Sequence, residues 1–226
     1  MGNHHSSRQL VDVALVSQSH DAVTLHANAP SVVLPEVTKL HLERQNKALC
    51  VFDYATGELL FRQDDTSASE WTESMLVDAK NVSIVNLKKK VVSSSESAFL
   101  IQSSNDATPL KELCKVEVFK RDWTVTMKLR LTSASSGEKL LVEVDSDWRL
   151  RKGVIWLSRG AAADKRRKAR KELREAICIV EHKENGYDVE VAAGVDLTIA
   201  ALMGIVLNDT TTVIQSYDAG VLLAMS

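Results

Sequence analysis

The densest chemistry in the sequence is a run of cations. Lys165, Arg166, Arg167, Lys168, Arg170, Lys171 and Arg174 fall within ten residues. Such a cluster suits multivalent phosphate, because a guanidinium bonds phosphate oxygens through two parallel N–H groups. Residues 151–174 hold ten Lys/Arg against two acids, Asp164 and Glu172, a local +8 in a chain of net charge −2. The other residues therefore carry −10, and the near-neutral total conceals a basic block set against an acidic body. That asymmetry concerns partners rather than fold. Just upstream, Trp148-Arg-Leu-Arg-Lys-Gly-Val-Ile-Trp156 interleaves rings and cations. The pattern fits a nucleic-acid or headgroup surface, and equally a barrel rim with rings packed inward and charges outward. Aromatic residues make up only 5% of the chain, which is low for a base-stacking platform.

A second chemical signal stands at the N-terminus. Met1-Gly-Asn-His-His-Ser6 fits M-G-x-x-x-[ST], the acceptor pattern for N-myristoylation at Gly2 once Met1 is removed. One acyl chain gives only marginal, reversible membrane binding, with a constant of about 10⁴ M⁻¹. A basic stretch supplies the second signal, at roughly 1 kcal/mol per cation near an anionic surface. The alternative is an unmodified polar tail.

Catalytic and metal-binding patterns are missing. There is no G-x-S-x-G, no phosphate-binding G-x-x-x-x-G-K-[ST] and no H-E-x-x-H. The six histidines share no ligand spacing with a cysteine or carboxylate, and His4-His5 reads as a terminal tail or a purification-tag remnant. Cys50, Cys114 and Cys178 are scattered singly in strand-like runs. That reads as buried small hydrophobes in a reducing compartment, with neither disulfide framework nor zinc site. Asp64-Asp65 and Asp145/Asp147 are carboxylate pairs of the kind that turns collect. The expectation is a protein that is not an enzyme and has no cofactor and no metal.

These residues must be held by a core, and 226 residues with 45% hydrophobic content suffice for one large domain. Only three prolines and nine glycines argue against low-complexity structure. No N-terminal apolar run resembles a signal peptide. Most of the chain reads as short strands. Thr38–Arg44, Ala48–Asp53, Leu59–Arg62, Met75–Asp78, Val82–Leu87, Ala98–Gln102, Cys114–Lys120, Thr124–Leu131, Leu140–Val144, Val154–Leu157 and Ile177–Glu181 are candidates. Thr124-Val-Thr-Met-Lys-Leu-Arg-Leu alternates strictly, which means one dry and one wet face. Many short antiparallel strands suggest a sandwich or a barrel, and a barrel abolishes its own edges.

Two segments break the strand pattern. Ala161–Ala176, rich in Ala, Lys, Arg and Glu, reads as a helical excursion. Val195–Leu207 is apolar on nearly every face yet far shorter than the roughly 20 residues that span a bilayer. Such a helix needs protein on all sides, and the inside of a barrel supplies it. Asp196 and Asn208-Asp209 bracket it as caps would. Two carboxylates some thirteen residues apart on a helix lie about 20 Å from one another, so they cannot share a calcium ion.

Gly186-Tyr-Asp-Val-Glu-Val-Ala-Ala-Gly-Val-Asp196, running straight into the apolar helix, resembles the end of the LURP-one-related proteins. Phe52-Asp-Tyr-Ala-Thr-Gly-Glu-Leu-Leu-Phe61 is similar to that family's early hairpin, and Val77-Asp-Ala79 to a later turn, where Asn81 stands near the usual glycine. The resemblance spans residues 38 to 209. It implies the tubby C-terminal-like fold, a closed antiparallel β-barrel of about twelve strands around a buried hydrophobic helix. On that reading residues 1–37 form a partly disordered N-terminal extension, 38–209 the barrel domain, and 210–226 a C-terminal extension that adds a strand or a second short helix. Because tubby domains as a class bind phosphoinositides, the resemblance implies a non-enzymatic phosphoinositide- or anionic-membrane-binding or scaffold module. Lys165, Arg166, Arg167, Lys168, Arg170, Lys171 and Arg174 are the local candidate for headgroups. The expected protein is a cytoplasmic monomer, peripheral at the plasma membrane. The alternatives are a nuclear or nucleic-acid-associated adaptor using residues 165–174, and a scramblase-like lipid protein.

Overall fold

The computed structural model describes residues 10, 13–18, 24–25, 32–45, 48–65, 73–103, 112–133, 137–164 and 173–224. Its strands are β1 (Thr38–Gln45), β2 (Ala48–Asp53), β3 (Leu59–Asp65), β4 (Glu73–Asp78), β5 (Ser83–Val91) and β6 (Glu96–Ser103). They continue as β7 (Glu112–Arg121), β8 (Thr124–Thr132), β9 (Lys139–Asp147), β10 (Lys152–Arg159), β11 (Glu175–Lys183) and β12 (Gly186–Val191). Each strand pairs antiparallel with its neighbours in sequence, and β1 pairs with β12 to close a twelve-stranded barrel. One α-helix, α1 (Leu197–Ala224), follows.

Alternation along the strands builds the wall. On β8, Val125, Met127, Leu129 and Leu131 point into the core, while Lys128 and Arg130 face out. The closing seam is pinned on the outer face. Asp188 on β12 takes Nζ of Lys39 at 3.1 Å and Nδ1 of His41 at 2.8 Å, both from β1. Burial works against its charge, but the hydrogen bonds from His41 and Lys39 hold the carboxyl below its usual range.

Within the barrel sits the first half of α1. Leu197, Ile199, Leu202, Met203, Ile205, Val206 and Leu207 are all at most 2% exposed. At about 2 kcal/mol for each large side chain removed from water, these seven are a main source of core stability. Small residues sit where the wall comes close. A Cβ on Gly204 would stand 2.5 Å from Cδ2 of Leu42 on β1. The chain turns into the helix at Gly194, which adopts φ +79 with the Gln18 carbonyl pressed against it, a backbone state that favours glycine. Asn81 takes φ 62 in the β4–β5 turn. Asparagine tolerates that region better than most residues, so it can replace the glycine common there.

The helix start behaves as the sequence suggests. Asp196 caps it, accepting from the Thr198 N–H at 2.9 Å. Its carboxylate also takes the N–H groups of Leu25 and Val32, at 3.4 and 3.3 Å. The described parts of residues 1–37 are therefore docked on the barrel. Leu10 and Val13 cover Val154, Ala176 and Trp156 on the outside of β10 and β11, and Val16 N–H donates to the Ala176 carbonyl.

Three expectations need correction. Asn208-Asp209 does not end the helix, which runs unbroken to Ala224 in place of a separate strand or second helix over residues 210–226. The polar residues find partners without breaking it. Asp209 pairs with Lys89 of β5 at 2.5 Å, and the Thr210 and Thr211 hydroxyls donate to the carbonyls of Val206 and Leu207. Of the helical excursion read at Ala161–Ala176, residues 165–172 lie outside the described residues; the bounds change at both ends, where Gly160–Ala162 is a 3₁₀ turn and Glu175 and Ala176 pair with Leu157 and Trp156 in the sheet. Sheet pairing there overrides local helix propensity. Asp64-Asp65 and Asp145/Asp147 lie in β3 and β9 rather than in turns.

Ala200 is fully buried in the first turn of α1. Ala200→Asp is expected to abolish folding, because an unpaired charge in a dry core costs several kcal/mol against a total stability of about 5–15. Circular dichroism and thermal melting check this; a variant that melts like wild type removes the central-helix account.

Candidate functional site

In a meander barrel, alternate turns share one end. The β2–β3, β4–β5, β6–β7, β8–β9 and β10–β11 connections lie at the base, where α1 begins. The β1–β2, β3–β4, β5–β6, β7–β8, β9–β10 and β11–β12 connections lie at the rim, where α1 leaves.

The basic segment belongs to the β10–β11 connection at the base. Lys165, Arg166, Arg167, Lys168, Arg170 and Lys171 lie outside the described residues, as does Gly2. Arg174 is described, and it is not a free cation. Its side chain is 3% exposed, its Nη1 donates to Asp145 Oδ2 at 2.7 Å, and its guanidinium lies 3.9 Å from the Trp156 ring centroid. It fastens β11 to β9 and caps a tryptophan. The headgroup candidates thus reduce to residues 165–171.

The rim is built from residues the sequence reading largely passed over. The aromatic-and-cation stretch from Trp148 to Trp156 divides. Trp148 turns toward the barrel mouth, its ring 4.6 Å from His182 and 6.2 Å from Tyr187, both edge-on. Trp156 lies on the outer face under Leu10 and Val13. Between them Arg149, Leu150 and Arg151 are exposed on the β9–β10 turn, with Arg151 at φ 52. Two neighbouring turns also present apolar side chains: Val91 and Val92 end β5, and Trp123 follows Asp122 (φ 50) between β7 and β8. Lys90 and Arg121 are exposed beside them.

Main-chain hydrogen bonds tie the turns together. Lys120 N–H donates to the Ser95 carbonyl, Trp148 N–H to Trp123 and His182 N–H to Arg151, at 2.8, 2.9 and 2.9 Å. The helix is fastened at the same level, where Tyr187 Oη meets Thr211 Oγ1 at 2.7 Å and Asp209 meets Lys89. The signal for this rim was present in the sequence as apolar residues in turns, in Lys-Val-Val-Ser, Asp-Trp-Thr and Arg-Leu-Arg. Only the topology shows that these turns share an end.

A small recess of about 10 Å³, room for about one water, lies at the mouth between Ser146, Trp148, Gly153, His182, Tyr187 and Leu207. Trp148 Nε1 and His182 Nδ1 there have no protein hydrogen-bond partner. Burial, reinforced by Arg151, pushes the His182 pKa down. Among the described residues no group of three or more His, Cys, Asp or Glu could hold a metal ion. The cysteines are buried; burial pushes the Cys114 thiol up to about 12 and Cys178 higher still, so neither thiol presents a thiolate near neutral pH.

The family model described as LURP-one-related matches residues 37–208. An X-ray structure of a protein from Arabidopsis thaliana is similar in fold, with a TM-score of 0.50 at 16% identity, covering 79% of this chain and 94% of its own. No curated protein matches.

Two predictions follow from these environments. Arg174→Ala removes the buried ion pair with Asp145 and uncovers Trp156, and is expected to cost about 3 kcal/mol in a denaturant titration without changing binding to anionic vesicles. A histidine whose folded pKa is depressed contributes stability that is present above its unfolded value, about 6.5, and is lost as pH falls through the folded value. His182 faces Arg151, Lys152, Asp147 and Tyr187 around the recess. The melting temperature is therefore expected to drop below about pH 6.5, and His182→Gln to flatten that part of the profile.

Proposed function

This chain belongs to the LURP-one-related family, and from that premise we propose that it is a non-enzymatic module that attaches peripherally to anionic membranes through its outer surface. One observation carries the reading: the barrel is filled by its own helix, whose residues Leu197–Leu207 are buried on every side. A lipid-carrying barrel needs a chamber, and here apolar side chains occupy that space. Ligands are met outside, where the charge is uneven.

Two surfaces have the right chemistry. One is the basic stretch at residues 165–171, at the base. The other is the rim, with its exposed lysine and arginines. Multiply phosphorylated headgroups such as phosphoinositides suit either, since clustered guanidinium and ammonium groups share phosphate charge. Myristoylation at Gly2 supplies the hydrophobic half of a two-signal anchor. Gly2 precedes Leu10 by eight residues, which span at most about 27 Å, and Leu10 is seated against Val154 of β10. An acyl chain at Gly2 thus has the length to reach a bilayer next to the barrel. The matching location is the cytoplasmic leaflet of the plasma membrane.

The test uses full-length protein from a eukaryotic host with its native N-terminus. Sedimentation with vesicles is compared for neutral lipid, phosphatidylserine and phosphoinositide mixtures at low and high salt, with duplex DNA as a separate arm. Binding to anionic vesicles that salt releases is the expected result, together with an intact mass raised by about 210 Da and weaker binding after Gly2→Ala. Retention on DNA but not on vesicles replaces this reading with the nucleic-acid one.

A further inference from the structure

Exposed apolar residues occur at both ends of the barrel, in mixed electrostatic settings at the base and beside exposed cations on the rim turns. At the base, Val37 follows Glu36, Tyr54 follows Asp53 with Lys39 Nζ 4.1 Å from its ring centroid, Val82 stands two residues after Lys80, and Leu173 lies between Glu172 and Arg174 in the sequence. At the rim, Val91 and Val92 are 69% and 60% exposed, Trp123 41% and Leu150 39%. Their sequence neighbours include the cations Lys90, Arg121, Arg149 and Arg151, all exposed. Acids stand at this end as well: Glu96, Asp122 and Glu184 on these turns, Asp147 turned to Arg149 at 3.3 Å, and Glu43, Asp64, Asp65 and Glu73 at the ends of β1, β3 and β4.

We propose that the rim is the membrane-contacting surface: Val91, Val92, Trp123 and Leu150 enter the interfacial layer of an anionic bilayer while Lys90, Arg121, Arg149 and Arg151 meet headgroup phosphates. This rests on the membrane reading above and names the face that carries it. A bilayer fits this arrangement better than a protein does. The apolar side chains are divided among three turns, Val91 and Val92 on one and Trp123 and Leu150 on one each, with serines and cations beside them in the sequence. A soft interface admits separate tips, and tryptophan is favoured at that depth because its ring is apolar with one polar edge. The three inter-turn hydrogen bonds and the Lys89–Asp209 and Tyr187–Thr211 contacts hold the tips in place before binding, which lowers the ordering cost.

The proposal separates the rim from the basic stretch. A nine-residue strand is about 30 Å long, while charges are screened over about 8 Å at physiological salt. A barrel standing on its rim turns Asp164 and Leu173, the described residues that flank the basic stretch, to the end away from that bilayer.

The experiment compares full-length wild type with two variants on vesicles of phosphatidylcholine and phosphatidylserine, with and without phosphoinositide. The tip variant carries Val91→Ser, Val92→Ser and Leu150→Ser; the base variant carries Arg166→Glu, Arg167→Glu, Lys168→Glu and Lys171→Glu. The tip variant is expected to melt like wild type and to bind at least about tenfold more weakly. The base variant is expected to bind like wild type. Brominated acyl chains are expected to quench tryptophan emission on binding, and Trp123→Phe to remove that quenching. Wild-type binding by the tip variant, with loss in the base variant, overturns the rim assignment and leaves the membrane reading standing. Wild-type binding by both variants likewise overturns the rim assignment and leaves the rim to a protein partner. A wild-type protein that binds no anionic vesicle overturns both.

Discussion

A helix that is apolar on every face cannot lie on a surface, because no orientation hides it from water. The rest of this structure follows from that constraint. Leu197–Leu207 needs a wall on all sides, and a single sheet provides one only if its edges meet. The β1–β12 pairing makes that closure, and Asp188 with Lys39 and His41 pins the seam from outside. Closure also removes the two edge strands that an open twelve-stranded sheet would expose to other chains.

The helix is polar where it meets each end, and both ends organise what lies around them. At the base the Asp196 carboxylate is divided between capping α1 and receiving the N–H groups of Leu25 and Val32. Burial raises its pKa despite these hydrogen bonds, so the site depends on all its donors being present. The N-terminal segment is in this way joined to the core helix. At the rim, Asp209 and Thr211 reach Lys89 and Tyr187 and fix where α1 leaves the barrel.

A filled barrel leaves function to its surface. Arg174 shows how composition can mislead there. It belongs to a cationic run in the sequence, yet it is consumed by Asp145 and Trp156 in the fold. Cations that look less prominent, Arg121, Arg149 and Arg151, stand exposed on a rigid rim beside apolar tips. Availability, rather than local density, decides which charges can meet a partner.

Much of the fold was legible in the sequence. Alternation such as Val125, Met127, Leu129 and Leu131 marks a strand with one dry face; short apolar runs of this kind gave eleven of the twelve strands, and β12 entered only with the motif that runs into the helix. The all-apolar helix required an enclosure, and Asp196 announced its start. These are local signals, each written within about ten residues. What the sequence alone left open depended on partners distant along the chain. Asn208-Asp209 looks like a helix end until Lys89, some 120 residues away, satisfies the carboxylate. Asp145 looks like a turn residue until Arg174 reaches it. Val91, Trp123 and Leu150 are separated by about thirty residues each, and nothing in their spacing sets them side by side. They meet because antiparallel strands reverse direction at every turn, so alternate turns gather at one end once the sheet has closed.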